Sequence, residues 1–172
     1  MNRAQIIDLI LLDEGSVYTN REDDFGGPTK FGITIPAFSD FLGRKVTAED
    51  ISHLNRESAV LFYESWYDNY KIDSYPEVFR HAFVDTVVIK GYGGASGLLQ
   101  KSLQFLGQPV KLDYDAGDKT RAAVKNVDAQ LLKEVFLNER EANAHQIVKN
   151  YPSQIVNLQG WLNRIARLRK QS

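Results

Sequence analysis

The chain has 172 residues, 43% hydrophobic and 25% charged, with five prolines, twelve glycines and no cysteine. That composition suits one folded core without staples, and it excludes thiolate metal sites, thiol nucleophiles, redox motifs and a disulfide scaffold. With 21 basic against 22 acidic side chains the formal charge is −1, so no field gathers nucleic acid and none is expected as a partner.

Apolar residues recur at helical spacing through most of the chain, which therefore reads as mainly α. The first helix covers Arg3 to about Asp13. Its run Ile6, Ile7, Leu9, Ile10, Leu11, Leu12 is interrupted by Asp8 and closed by Asp13 and Glu14. It is too short to span a bilayer, and it lacks the basic leader and small-residue cleavage site of a secretory signal, so no membrane insertion is expected.

Residues 15–34 mix the turn formers Gly15, Ser16, Asn20, Gly26, Gly27 and Pro28 with Val17, Tyr18, Phe25, Phe31 and Ile33, the pattern of a small irregular β-hairpin or loop lobe. Pro36 opens a short helix that stops before Gly43, Thr47 and Asn55 cap the next two, and an apolar helix runs from Pro76 to about Lys90. Gly91-Tyr92-Gly93-Gly94 is expected to end it, with a new helix from Ala95 to Leu106. Asp118 caps a short helix, and two longer ones near Asp128–Lys149 and Ser153–Lys170 finish the chain, the last closing on Arg164, Arg167, Arg169 and Lys170 as a solvated helix end.

Few residues are placed for chemistry. His53, His81 and His145 are scattered, Ser16 lacks a nucleophile elbow, and the glycine run at 91–94 follows a helix instead of a strand. What remains is Glu14 at the end of an apolar helix, with Asp23, Asp24 and Thr29 downstream. A carboxyl held against apolar surface at a helix C-terminus favours its protonated form, which suits a general acid. A solvated aspartate on a hairpin stays ionised and, with a threonine hydroxyl, can orient water; two carboxyls in opposite states are what glycosidic cleavage needs. Acids at helix ends and hairpin tips are more often solvent-exposed caps, and the pattern alone does not choose between these readings.

Asp13-Glu14-Gly15-Ser16-Val17-Tyr18, followed by Asp24-Phe25-Gly26-Gly27-Pro28-Thr29-Lys30-Phe31-Gly32-Ile33-Thr34, resembles the signature of the phage and bacterial N-acetylmuramidases of glycoside hydrolase family 108. Phe83-Val84-Asp85 through Gly91, with Leu98-Leu99-Gln100 beyond, is similar to a second segment of that family. Leu112 to Thr120 resembles the turn of its peptidoglycan-binding half, and Gly160-Trp161 to Arg164 its closing pattern. Ser16, Phe25 and Ile89 depart from the family residues, Ile89 standing where an asparagine is usual.

The resemblance implies a lysozyme-like helical fold with a small hairpin lobe, a catalytic region over residues 1–90 and a helical peptidoglycan-binding region over 91–172. It implies metal-free, cofactor-free hydrolysis of the β-1,4 bond between N-acetylmuramic acid and N-acetylglucosamine by a monomer, with Glu14 as proton donor. Counting from Gly26 makes Asp24 the second acid, and counting from Glu14 and Thr29 makes it Asp23. Lys90 and Tyr92, beside the glycine run, are expected to border the glycan. Inversion, which needs a carboxyl separation of roughly 6.5–9.5 Å, is expected over retention, which needs about 5–5.5 Å. An endolysin held in the bacterial cytoplasm until a holin opens the membrane, then acting on the periplasmic wall, is the first expectation; a bacterial enzyme that loosens the wall for export fits as well. A lytic transglycosylase and a non-catalytic wall-binding protein are the alternatives.

Overall fold

The computed structural model describes residues 1–20 and 27–171. Among them the chain forms eight α-helices and one two-stranded hairpin: α1 (Arg3–Glu14), β1 (Thr29–Lys30), β2 (Ile33–Thr34), α2 (Ile35–Leu42), α3 (Ala48–Ser52), α4 (Arg56–Asn69), α5 (Glu77–Phe105), α6 (Asp118–Val124), α7 (Ala129–Asn150) and α8 (Ile155–Lys170). The mainly α class and the small N-terminal hairpin are as the sequence predicts. No helix of the described residues is long and apolar enough to cross a membrane. Contacts divide the chain into two compact units, Asn2–Lys71 and Ile72–Ser172 joined by Met1.

In Asn2–Lys71, α1 starts on an Asn2 capping box with Gln5 and ends at Gly15, whose φ of 73° lets its N–H return to the Leu11 carbonyl. Ile6, Ile7, Ile10 and Leu11 are buried from this helix, which packs on α4. Thr47 and Asn55 cap α3 and α4 through side-chain oxygens that accept from Asp50 N and Ser58 N, so the caps legible in sequence are the caps that form. Phe38, Phe41, Phe62, Tyr63 and Trp66 assemble an edge-to-face aromatic cluster with neighbouring ring centroids 5.0–6.3 Å apart.

In Ile72–Ser172, α5 packs against α7 and α7 against α8, around Tyr75, Phe79, Phe83 and Phe136. Helix α5 differs from expectation. The chain leaves helical geometry only at Gly91 (φ 70°, ψ 167°) and resumes at once, so Gly93 and Gly94 are helical instead of forming a linker. Close packing explains the small residues: a β-carbon on Gly97 would lie 2.6 Å from the Tyr114 ring and one on Gly94 2.8 Å from Lys90 Cβ. The cap of α6 is Gly117, with Asp118 one residue inside its first turn, where an acid still complements the helix dipole.

The 107–117 connection is held by Gln100. Its Nε2 donates to Asp113 Oδ1 (2.6 Å), the Asp115 carbonyl (2.9 Å) and Thr120 Oγ1 (3.3 Å), while its Oε1 accepts from the N–H groups of Asp113 and Tyr114 (3.1 and 2.9 Å). A fully buried amide thus uses both ends, which is what burial of a polar group demands.

Candidate active site

Glu14 is the last residue of α1 and is half-buried. Its side chain lies over the hairpin: a β-carbon on Gly32 would fall 2.8 Å from both Glu14 Cγ and Oε2. The register Thr29↔Thr34 and Lys30↔Ile33 leaves Phe31 and Gly32 as the connecting residues. Both have positive φ, 55° and 72°, as a two-residue hairpin of the type I′ kind requires. Glycine meets that demand without strain and, lacking a side chain, also leaves the space that the Glu14 carboxyl occupies. Phenylalanine meets it at a cost. The compensation is visible: Phe31 is buried, and its carbonyl accepts a 2.7 Å bond from the buried Tyr63 hydroxyl.

Thr29 stands on β1 and is flanked from the other side by Thr19. The two residues exchange backbone bonds of 2.8 and 2.9 Å, and their hydroxyl oxygens are 2.7 Å apart. Helix end and hairpin are therefore brought together, with Glu14 and the strand of Thr29 meeting at Gly32. A pocket of about 440 Å³ opens beside this turn, lined by Asp8, Leu11, Gly15, Ser16, Phe31 and Arg56. Asp23 and Asp24 lie outside the described residues.

Lys90 and Tyr92 straddle the Gly91 break in the other unit and meet different surroundings. The Tyr92 ring stands edge-on to Phe83 at 6.4 Å, and its hydroxyl donates to Asp115 Oδ1 at 3.5 Å; burial and then the Asp115 carboxylate push the phenol above its ordinary range. Lys90 turns to a pocket shared with Ile89, Arg140 and Trp161, where burial, then the Arg140 guanidinium, pulls the ammonium below the usual lysine range. Among the described residues no group of three or more His, Asp or Glu could hold a metal ion.

Residues 7–91 match the model of the family described as Glycosyl hydrolase 108. This segment, just under half of the chain, is similar to glycoside hydrolase family 108. The match takes in α1 from Ile7, the hairpin, Glu14, Thr29 and Lys90, and stops at the residue where α5 breaks. Among solved structures the chain is similar to that titled Structure of Brucella abortus SagA, at 28% identity and a TM-score of 0.82 over 98% of this chain and 91% of that one. No curated protein matches the sequence. The protein is a glycoside hydrolase with a lysozyme-like, mainly helical fold.

Several functional-site details escaped the sequence reading. Gly32 as the floor under Glu14 and Tyr63 as the prop of the turn were not anticipated, although Phe31-Gly32 between Thr-Lys and Ile-Thr is a short-hairpin signal. Trp161, in the closing motif, is half-buried and lines the Lys90 pocket.

Proposed function

We propose that the chain is a peptidoglycan muramidase that hydrolyses the β-1,4 bond between N-acetylmuramic acid and N-acetylglucosamine, with Glu14 as general acid. The observation that carries this reading is the Glu14 carboxyl lying over Gly32, at the junction of helix and hairpin and inside the family 108 segment. Glu14 gives its proton to the glycosidic oxygen as the bond to the anomeric carbon breaks. Water adds to that carbon, and its proton passes to the second acid, Asp23 or Asp24. The hydroxyl pair of Thr29 and Thr19 is suited to fixing that water, and an attack by positioned water inverts configuration. The enzyme works as a monomer on the wall side of the membrane, reaching it from the cytoplasm with the help of a holin.

Zymography on purified sacculi tests the reading. The wild type clears the gel, Glu14→Gln does not, and the released muropeptides carry the mass of added water. Full clearing by Glu14→Gln would remove Glu14 from the mechanism, and anhydro-muropeptides would replace hydrolysis by ring closure. Asp23→Asn and Asp24→Asn, assayed singly, lose activity unequally; equal mild losses would dismiss both acids.

A further inference from the structure

Asp85 is fully buried and accepts 2.6 Å bonds from Arg140 Nη1 and Arg164 Nε. Arg140, 3% exposed, spends Nη1 on Asp85 and on Thr86 Oγ1 (3.0 Å), but its buried Nη2 has no hydrogen-bond partner among the described residues. An unpaired N–H of a buried cation is costly, and its presence calls for an acceptor that the described residues do not provide.

The same guanidinium lines a pocket of about 240 Å³ between α5, α7 and α8, together with Lys90, Gln154, Ile89, Trp161 and Ile165. The charged side chains that line it, Arg140 and Lys90, are both cationic, and no carboxylate is among its lining residues. Its remaining walls are apolar. It falls below the size of sites for drug-sized ligands, which run to roughly 300 Å³ and above, and so cannot enclose a disaccharide but can take the end of a short peptide.

We infer that this pocket is a carboxylate subsite which takes a free carboxylate of the stem peptide carried by the wall polymer, a reading that rests on peptidoglycan being the substrate. The carboxylate accepts from Arg140 Nη2 and from the Lys90 ammonium, and the aliphatic part of the peptide lies on Ile89, Trp161 and Ile165. Both ligating cations exist before binding: one is locked by Asp85, and the other is half-buried in the folded chain, so ligand arrival repays a penalty already present.

The test uses the full chain with a soluble stem tetrapeptide, the same peptide with every carboxyl amidated, and a chitooligosaccharide, followed by calorimetry and by the indole N–H resonance of Trp161. The free peptide is expected to bind at least about tenfold more tightly than the amidated one and to shift the Trp161 signal, as a charge-assisted pair requires. Arg140→Gln risks unfolding because it strips Asp85, so Lys90→Gln and Trp161→Leu are the informative variants, each weakening the peptide by about fivefold or more with an unchanged circular-dichroism spectrum. Equal binding of free and amidated peptide, or no loss in either variant, overturns the subsite. Binding without sacculus hydrolysis leaves the subsite standing and dismisses the muramidase reading; hydrolysis without peptide binding does the reverse.

Discussion

In Asn2–Lys71 the ion pairs sit in solvent: Arg56 with Asp8, Arg3 with Asp68, Arg44 with Asp50. In Ile72–Ser172 charge goes inside, where Asp85 bridges two arginines and Gln100 ties down a loop. Tyrosines aside, the buried polar and charged side chains among the described residues, from His81 and Asp85 to Lys133 and Arg140, all belong to the second unit. The first unit is held by apolar and aromatic packing. In the second, polar groups are part of the architecture, and removing one leaves its partners stranded in low dielectric.

That contrast predicts opposite outcomes for one kind of substitution. Glu14→Gln should lower turnover of sacculi by about 10³-fold, within the 10²–10⁴ range general-acid catalysis contributes, while shifting stability by no more than about 0.5 kcal/mol. Asp85→Asn should do the converse in stability: it replaces the buried carboxylate that Arg140 and Arg164 share with a neutral amide, costing about 3–5 kcal/mol and roughly 6–20 °C in Tm. Calorimetric melts of both variants check the pair. A large melting loss in Glu14→Gln, or a negligible one in Asp85→Asn, would erase the distinction between the units.

How much of this the sequence disclosed follows the range of the interactions. Caps are local, and Thr47 and Asn55 are readable as such. The resumption of α5 after Gly91 was not, because three glycines in four residues normally stop a helix, and the burial of Leu98, Leu99 and Gln100 together with the Tyr114 ring over Gly97 outweighs that tendency. Glu14 and the hairpin were legible through a motif. Asp85 with Arg140 and Arg164 joins residues 55 and 79 positions apart, which no spacing rule reveals.

Gly32 sharpens the comparison inside the first unit by separating stability from placement. Gly32→Ala forces an L residue to φ 72°, costing about 1–2 kcal/mol, and drives its β-carbon into Glu14 Cγ and Oε2. The Glu14 side chain can swing away, so little further stability is lost, but the carboxyl leaves its position. A displacement of about 1 Å costs roughly 10²-fold in rate. Denaturant melts and sacculus turnover of the same preparation should therefore show a small stability loss beside a large kinetic one; proportionate small losses in both would mean that the position of Glu14 over the turn is incidental.

Lys90 supplies the smallest effect and the finest probe of the second unit. Its ammonium is drawn down from the ordinary lysine range first by burial and then by Arg140. Below the folded-state pKa both folded and unfolded chains hold the proton, and the folded chain bears the whole penalty. As pH rises through the folded pKa the native protein releases its proton first, the unfolded chain binds more protons, and stability rises until the unfolded value, near 10.4, is passed. Lys90→Met removes the charge and keeps the chain length. It should raise Tm at pH 7 by an amount corresponding to well under about 1 kcal/mol, since the group is partly solvent-screened, and the advantage over wild type should shrink as pH climbs towards about 10.4. A gain that is independent of pH would assign the effect to packing alone, whereas a gain that fades in the alkaline range shows positive charge held in the pocket against its own burial.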